Sequence, residues 1–325
     1  MLSPARLALA LRGASPRRTS ELARRADSAG VSRLLISERP GGPDAFSMTA
    51  FLLAQTQRMA IGPGLVSAFD RHPLVLARAA ATCDQLAPGR TMLGLGRSSR
   101  HYVEEVLHLP YQPATQRMEE VVAVVRRLLT GQEVLFAGEF LSLEGARLDP
   151  SPTSPIPILL GASGESTLQV AGRLADSALL NGGATPQYVA WARSTVSGAA
   201  RAAGRDPGEV EIGAWCLTAV EANGRWTPSL DRLRRQLAGV LLEPDSGRSL
   251  IVHSGLLEAV IKRLLRARSS GLAAVLLLLE DMDVLCELAV VGNAEQCRRR
   301  LGEYLSSGAD FIVLQPAAMA AMLFI

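Results

Sequence analysis

Short apolar runs alternate along the chain with longer stretches whose apolar positions recur at helical spacing. Runs of four to eight apolar residues bounded by Gly and Pro read as buried strands, and the 3.6-residue period reads as helices packed on them. Ala5–Leu11, Arg33–Ser37, Met59–Val66, Thr91–Leu95, Ile158–Leu160, Ser177–Leu180, Val210–Val220 and Phe311–Leu314 are the predicted strands. Helices are predicted at Thr19–Ser28 (capped by Thr19 or Ser20), Phe46–Gln57, Pro73–Leu86, Arg100–His108, Ala114–Leu129, Pro186–Ala203 and Ala294–Ser307, with one more running from the Gly161–Gly164 turn to Leu174.

Eight strand–helix units imply parallel strands with crossover helices, for which a (β/α)8 TIM barrel is the simplest closure. An open doubly wound sheet is the rival. Its glycine-rich turn after the first strand is missing at Leu11–Pro16. Val134–Phe136 and Phe140–Leu143 read as an exposed hairpin, followed by a proline-rich connector at Asp149–Pro157. From Asn223 to Val290 the pattern weakens. Leu230–Leu242 and Leu256–Arg268 look helical, and Ala273–Leu279 is apolar all round, so helix and strand stay open there. The 325 residues exceed a barrel of about 250 by a surplus that falls near residues 132–155 and 223–290. One decorated domain over 1–325 is the expectation.

Composition narrows the chemistry. The balance of 34 basic and 31 acidic residues leaves a formal charge of +3. With no basic run and no aromatic–basic alternation, no nucleic-acid partner is expected. Lys262 is the single lysine, which removes Schiff-base and P-loop lysine chemistry from every other position. Cys83, Cys216, Cys286 and Cys297 are irregularly spaced in apolar stretches, the pattern of buried free thiols in a reducing compartment. No run reaches the roughly 20 apolar residues of a membrane span. Met1–Leu11 is broken by Arg6, so neither leader nor membrane is expected and the cytoplasm is the expected compartment.

Barrel chemistry sits at the C-terminal strand ends. Strand two ends at Glu38 and Arg39. The acid there can serve as a proton-transfer group or simply pair with a guanidinium. Strand three is interrupted at Gly62-Pro63-Gly64-Leu65, ahead of Ser67, which reads as a bulge or as backbone supporting a flat ring. Gly96, Arg97 and Ser98 follow strand four. Gly161-Ala162-Ser163-Gly164 joins strand five to a helix, where glycine turns and free N–H groups can hold an anion. His72 before Pro73 reads as a helix cap. His101 and His108 lie seven apart without a metal-ligand partner, and no metal site is expected.

The stretch Arg71-His72-Pro73 through Asp84-Gln85-Leu86-Ala87-Pro88-Gly89-Arg90 and on to Gly94-Leu95-Gly96 resembles the luciferase-like monooxygenase family. Glu21–Glu38, Arg117–Gly138, Pro155–Asn181 and Val290–Pro316 extend the likeness. The resemblance implies a TIM barrel that uses a flavin or coenzyme F420, and the Gly161–Gly164 turn looks like the F420-dependent branch that includes methylenetetrahydromethanopterin reductases. It implies that this turn holds the cofactor phosphate, with Gly62, Pro63, Gly64, Leu65, Ser67, Gly96, Arg97 and Ser98 around the ring. A non-prolyl cis bond at Gly64–Leu65 is part of that expectation.

Two departures are visible. Bacterial luciferases carry histidine where Arg39 stands, and F420-dependent sugar-phosphate dehydrogenases carry an acid where Ser98-Ser99 stand. The expected function is hydride transfer between F420 and a small organic substrate, with Glu38 handling protons and Arg39 fixing an anion. The alternatives are a monooxygenase fed reduced FMN by a separate reductase and a non-catalytic flavin- or deazaflavin-binding homologue. A homodimer is expected by analogy with the family.

Overall fold

The computed structural model describes residues 3–11, 15–111, 113–221, 229–244 and 246–316. These residues form two compact units, one drawn from 8–161 and 170–177, the other from 3–7, 162–169 and 178–316.

The first unit carries strands β1 (Leu7–Leu11), β2 (Arg33–Ile36), β3 (Ala60–Pro63), β4 (Val66–Ser67) and β5 (Leu93–Gly96), then the hairpin β6 (Val134–Ala137) and β7 (Ser142–Ala146), then β8 (Ile158–Gly161). β1, β2 and β3 pair in parallel, with Leu9 opposite Leu34 and Leu34 opposite Ile61. β5 pairs in parallel with both β4 and β8, and a bridge between Ile61 and Thr91 joins the two groups. The hairpin alone is antiparallel.

Its helices are α1 (Pro16–Ser28), α2 (Ala45–Leu53), α3 (Pro73–Leu86) and α4 (Ala114–Leu129). Their starts follow capping chemistry. Ser15, Asp44 and His72 each accept a first-turn N–H, and Pro16 and Pro73 fill positions where an N–H would have no partner. α1 therefore begins a turn before the predicted Thr19 or Ser20, because Ser15-Pro16 is the stronger start and Thr19 Oγ bonds back to the Ser15 carbonyl. The helix predicted at Arg100–His108 is helical from Arg100 to Val106, wound as a π-helical turn over Tyr102–Val106, and His108 beyond it adopts φ 54°.

The second unit carries β9 (Ser177–Leu180), β10 (Glu211–Val220), β11 (Val290–Gly292) and β12 (Phe311–Pro316). β10 lies between β9 and β12 and also pairs with β11. α5 (Glu165–Leu174) leads into β9, α6 (Pro186–Ala202) follows it, and α12 (Ala294–Ser306) precedes β12 under an Asn293–Gln296 capping box.

The stretch from Asn223 to Val290, where the sequence pattern weakens, folds among its described residues as α7 (Ser229–Leu242), α8 (Ser246–Val252), α9 (Glu258–Ser270), α10 (Leu272–Leu278) and α11 (Met282–Leu288), joined by short turns and loops. It has a core of its own around Leu233, Leu237, Leu241, Ile251, Leu264 and Leu285, packed on Leu217 and Ala219 of β10. The interrupted strand expected at Met59–Val66 divides into β3 and the two-residue β4, and β11, three residues long, is a strand that the sequence pattern missed. Runs that short carry no periodicity. Among the described residues no helix is long and apolar enough to cross a membrane.

Candidate active site

In the first unit, the ends of β2, β3, β4 and β5 open on a cleft of about 400 Å³, lined among others by Glu38, Arg39, Leu65, Ser67, Asp70, Ser98 and Tyr102. This lies within the ~300–1,000 Å³ of small-molecule sites. Its strongest feature is Arg71. Nη1 and Nη2 donate to the two Glu38 oxygens at 2.6 and 2.7 Å, and Nη2 also reaches Asp44 at 2.8 Å. Ala45 N–H adds a third donor to Glu38 at 3.0 Å. Glu38 is thus held as a fully partnered carboxylate. Its cation is Arg71, not the neighbouring Arg39, which is exposed at the cleft rim.

Asp70 stands apart from the other two acids. Its Oδ1 is 3.3 Å from Arg71, and its Oδ2 accepts from the Tyr102 hydroxyl at 3.4 Å. Burial pushes the Asp70 carboxyl above its ordinary value, opposed by Arg71 and reinforced by the charge of Glu38. Burial likewise raises the Tyr102 hydroxyl, with Asp70 adding to the shift. For Asp44 the order reverses. Burial opposes ionisation, but hydrogen bonds from Ser47 and Arg71 outweigh it and hold that carboxyl low.

Glycines shape the floor of this cleft. The bond Gly64–Leu65 is cis, and Ser37 Oγ donates to the Gly64 carbonyl at 3.1 Å. A Cβ on Gly94, Gly96 or Gly161 would run into the Leu65 side chain. One on Gly62 would strike the Met92 carbonyl, and one on Gly64 the Leu35 side chain. These glycines therefore admit protein to close approach. Gly94, Gly96 and Gly161 form a seat on which Leu65 sits half-buried, facing the cleft.

Ser67 Oγ accepts from Phe69 N–H at 3.0 Å. Phe69 and Tyr111 stack at 5.5 Å, flanked by the guanidiniums of Arg117 and Arg100, and Tyr111 donates to the Ser98 carbonyl at 3.3 Å. Ser98 sits at φ 62°, so this stack braces an uncommon backbone position. Arg97 is half-buried next to it.

In the second unit, Ala162, Ser163 and Gly164 lead into α5. Ser163 is buried. Its Oγ accepts from Asn181 N–H at 2.9 Å, and its carbonyl accepts from Tyr188 Oη at 2.8 Å. Gly164 N–H donates to Thr167 Oγ1 at 3.2 Å. Gly164 also borders a second cleft of about 610 Å³, with Glu165, Arg248, Ser249 and His253 among its lining. The His253 ring stacks on Trp191 at 3.8 Å, within 5° of parallel.

Other predicted features resolve into structure. His72 Nδ1 accepts from Leu74 N–H and caps α3. His101 pairs with Glu105 at 2.9 Å on the surface. Cys83, Cys216 and Cys297 are buried, whereas Cys286 is half-exposed, a departure from the uniform burial expected. Burial pushes the Cys83 and Cys297 thiols up to about 11 and Cys216 to about 12, which keeps them protonated and inert at neutral pH. Among the described residues no group of three or more His, Cys, Asp or Glu is placed to hold a metal ion.

Asp70, Tyr102 and Asp44 went unmarked in the sequence. Asp70 directly precedes Arg71 inside the most recognisable stretch of the chain, and that adjacency was the available signal.

The sequence model described as luciferase-like monooxygenase matches residues 1–310. A 5,10-methylenetetrahydromethanopterin reductase of Archaeoglobus fulgidus is 31% identical over 48% of this chain and 46% of its own length. The enzyme of the same name from Methanolobus tindarius is 24% identical over 90% of this chain and 87% of its own. An F420-dependent glucose-6-phosphate dehydrogenase of Nakamurella multipartita is 33% identical over 53% and 54%. The chain thus spans about half the length of two of these relatives and most of the third.

Among solved structures, the coenzyme F420-dependent tetrahydromethanopterin reductase of Methanopyrus kandleri superposes with TM-score 0.77 at 20% identity, over 95% of this chain and 92% of that one. The monooxygenase RslO1 of Streptomyces bottropensis gives 0.67 at 23%, over 96% and 93%. These likenesses show the fold, a luciferase-type (β/α)8 TIM barrel with insertions.

Proposed function

The chain belongs to the luciferase-like monooxygenase family, and from that membership we propose that it is a coenzyme F420-dependent oxidoreductase acting on a small organic substrate. The observation that carries this reading is the Leu65 seat, an apolar side chain raised on three glycines and facing a cleft whose lining is mostly charged and polar. A flat ring system needs such an apolar face together with a few fixed polar groups. The choice of deazaflavin over flavin is supported by the Nakamurella relative, whose name carries F420 dependence.

The residues present suit the cofactor. Leu65, Ser67, Arg97 and Ser98 would hold the ring, with Gly62, Pro63, Gly64 and Gly96 as the wall behind it. Ala162, Ser163 and Gly164, following Gly161, would hold the phosphate at the start of α5. Ser163 Oγ already accepts from Asn181 N–H, which leaves its own proton to donate. When bound, F420 supplies or accepts a hydride at its ring. The chain contributes position and charge. Arg71 fixes the position of Glu38 through two hydrogen bonds, and Arg39 at the rim offers an anionic substrate a partner. A single domain, a homodimer and a cytoplasmic setting belong to the same reading.

The test is fluorescence titration of the purified protein with F420 and, separately, with FMN. Saturable F420 binding with no FMN binding is the expected result. FMN binding alone would overturn the deazaflavin reading in favour of a flavin-dependent monooxygenase, a reading that the structural likeness to RslO1 accommodates. Binding of neither by folded protein would overturn both.

A further inference from the structure

Three carboxylates, Glu38, Asp44 and Asp70, surround the one guanidinium of Arg71, and they are held unequally. Glu38 receives both Nη groups at 2.6 and 2.7 Å and the Ala45 N–H at 3.0 Å. Asp44 receives Arg71 at 2.8 Å and Ser47 N–H at 2.7 Å. Asp70 has one long contact to Arg71, 3.3 Å, and one to the Tyr102 hydroxyl, 3.4 Å. One guanidinium cannot neutralise three carboxylates, and a proton settles on the acid with the fewest and longest donors. The Asp70 side chain is 17% exposed and borders the cleft.

We propose that Asp70 is the proton-holding acid of this cleft, tuned by Tyr102, and that Glu38, with both oxygens engaged by Arg71, is a positioning anchor. This deepens the oxidoreductase reading and rests on it. A substrate carbon that receives a hydride, with both its electrons, from reduced deazaflavin pushes the π pair of its polar double bond onto oxygen or nitrogen. That atom takes the proton from Asp70. The carboxylate left behind accepts from Tyr102 Oη and Arg71 and regains its proton from solvent. In the reverse direction the Asp70 carboxylate takes the proton as the hydride departs to oxidised deazaflavin.

The charged and titratable groups facing Asp70 are Glu38, Arg39 and Asp44 from the segment after β2, Arg71 beside it and Tyr102 from the π-helical turn. His72, one residue further on, is committed to capping α3.

The experiment is a pH titration of the cofactor-free protein carrying ¹³C-labelled aspartate carboxyls, followed by NMR. One resonance, absent in Asp70→Asn, is expected to titrate above the ordinary 3.8 of an aspartate. It should move higher still in Tyr102→Phe, which removes a hydrogen bond that favours the anion. Turnover with F420 should fall about 10²–10⁴-fold in Asp70→Asn through kcat, with F420 affinity unchanged and the corresponding limb of the pH profile gone. An Asp70 resonance at or below 3.8, or an Asp70→Asn enzyme with wild-type kcat and pH profile, overturns the proposal. If wild-type protein fails to bind F420, the oxidoreductase reading falls, and the NMR titration still decides whether Asp70 holds the proton.

Discussion

At Arg71 one side chain sets the character of three others. Its planar fork meets Glu38 through two parallel hydrogen bonds, a geometry lysine cannot supply. Removing it would leave the largely buried Glu38 and Asp70 without their shared cation, beside the exposed Asp44. Arg71→Leu should destabilise the protein by about 2–4 kcal/mol at pH 7, somewhat less than for a fully buried pair. The deficit should shrink in acid as the carboxylates protonate, and urea melts at several pH values measure it. The sequence placed Glu38 at a strand end but could not name its partner, because Arg71 lies 33 residues away.

Asp84 shows the opposite case, a residue of the recognisable family stretch whose work is structural. Its carboxylate accepts from Gly89 N–H, from Thr153 N–H and Oγ1, and from Ser154 N–H, tying α3 to the proline-rich connector. Burial opposes its ionisation, but these donors prevail and hold the carboxyl low. A group depressed in the folded state stabilises above its unfolded value and loses that contribution as pH falls through the folded one. Asp84→Asn should therefore cost on the order of 2–4 kcal/mol at pH 7. The difference from wild type should fade below about pH 3.8, as thermal melts across pH will record.

Among the elements, the glycine-bearing strand ends carry the clearest lesson. Gly62, Gly96 and Gly161 were marked as places where backbone meets a cofactor. At these glycines backbone and side chains of the protein approach one another closely, with Leu65 as the group presented to the cleft. A glycine in a strand announces close approach but not of what. Gly62→Ala would drive its Cβ into the Met92 carbonyl, which cannot move as a side-chain tip can, and should cost about 1–3 kcal/mol or more. Gly198→Ala in α6, where a Cβ meets open space, should instead stabilise by about 0.5–1 kcal/mol. Denaturant midpoints of the two variants test this pair together. α10 makes a related point. Its all-round apolar run fits either period, and helix prevails because the segment follows Gly271 and packs only Val275 fully.

For the molecule as a whole, the strand–helix alternation sufficed to read the barrel, since short apolar runs at the strands alternate with crossover helices of 3.6-residue period. The candidate site was legible only where a residue ends a strand. Glu38, Leu65, Ser67 and Ser98 were found that way. Asp70 and Tyr102 were not, because a loop and a π-helical turn bring them in without any pattern. The near-neutral charge agrees with a small-molecule site whose polarity is local.

The central claim is that the Leu65 cleft takes the ring of a deazaflavin. A crystal structure of the protein grown with F420 tests it most directly. The expected structure has the ring against Leu65, with Ser67 and Ser98 at its edge and Asp70 facing it. A ring bound elsewhere on the protein, with that cleft left to solvent, would contradict it.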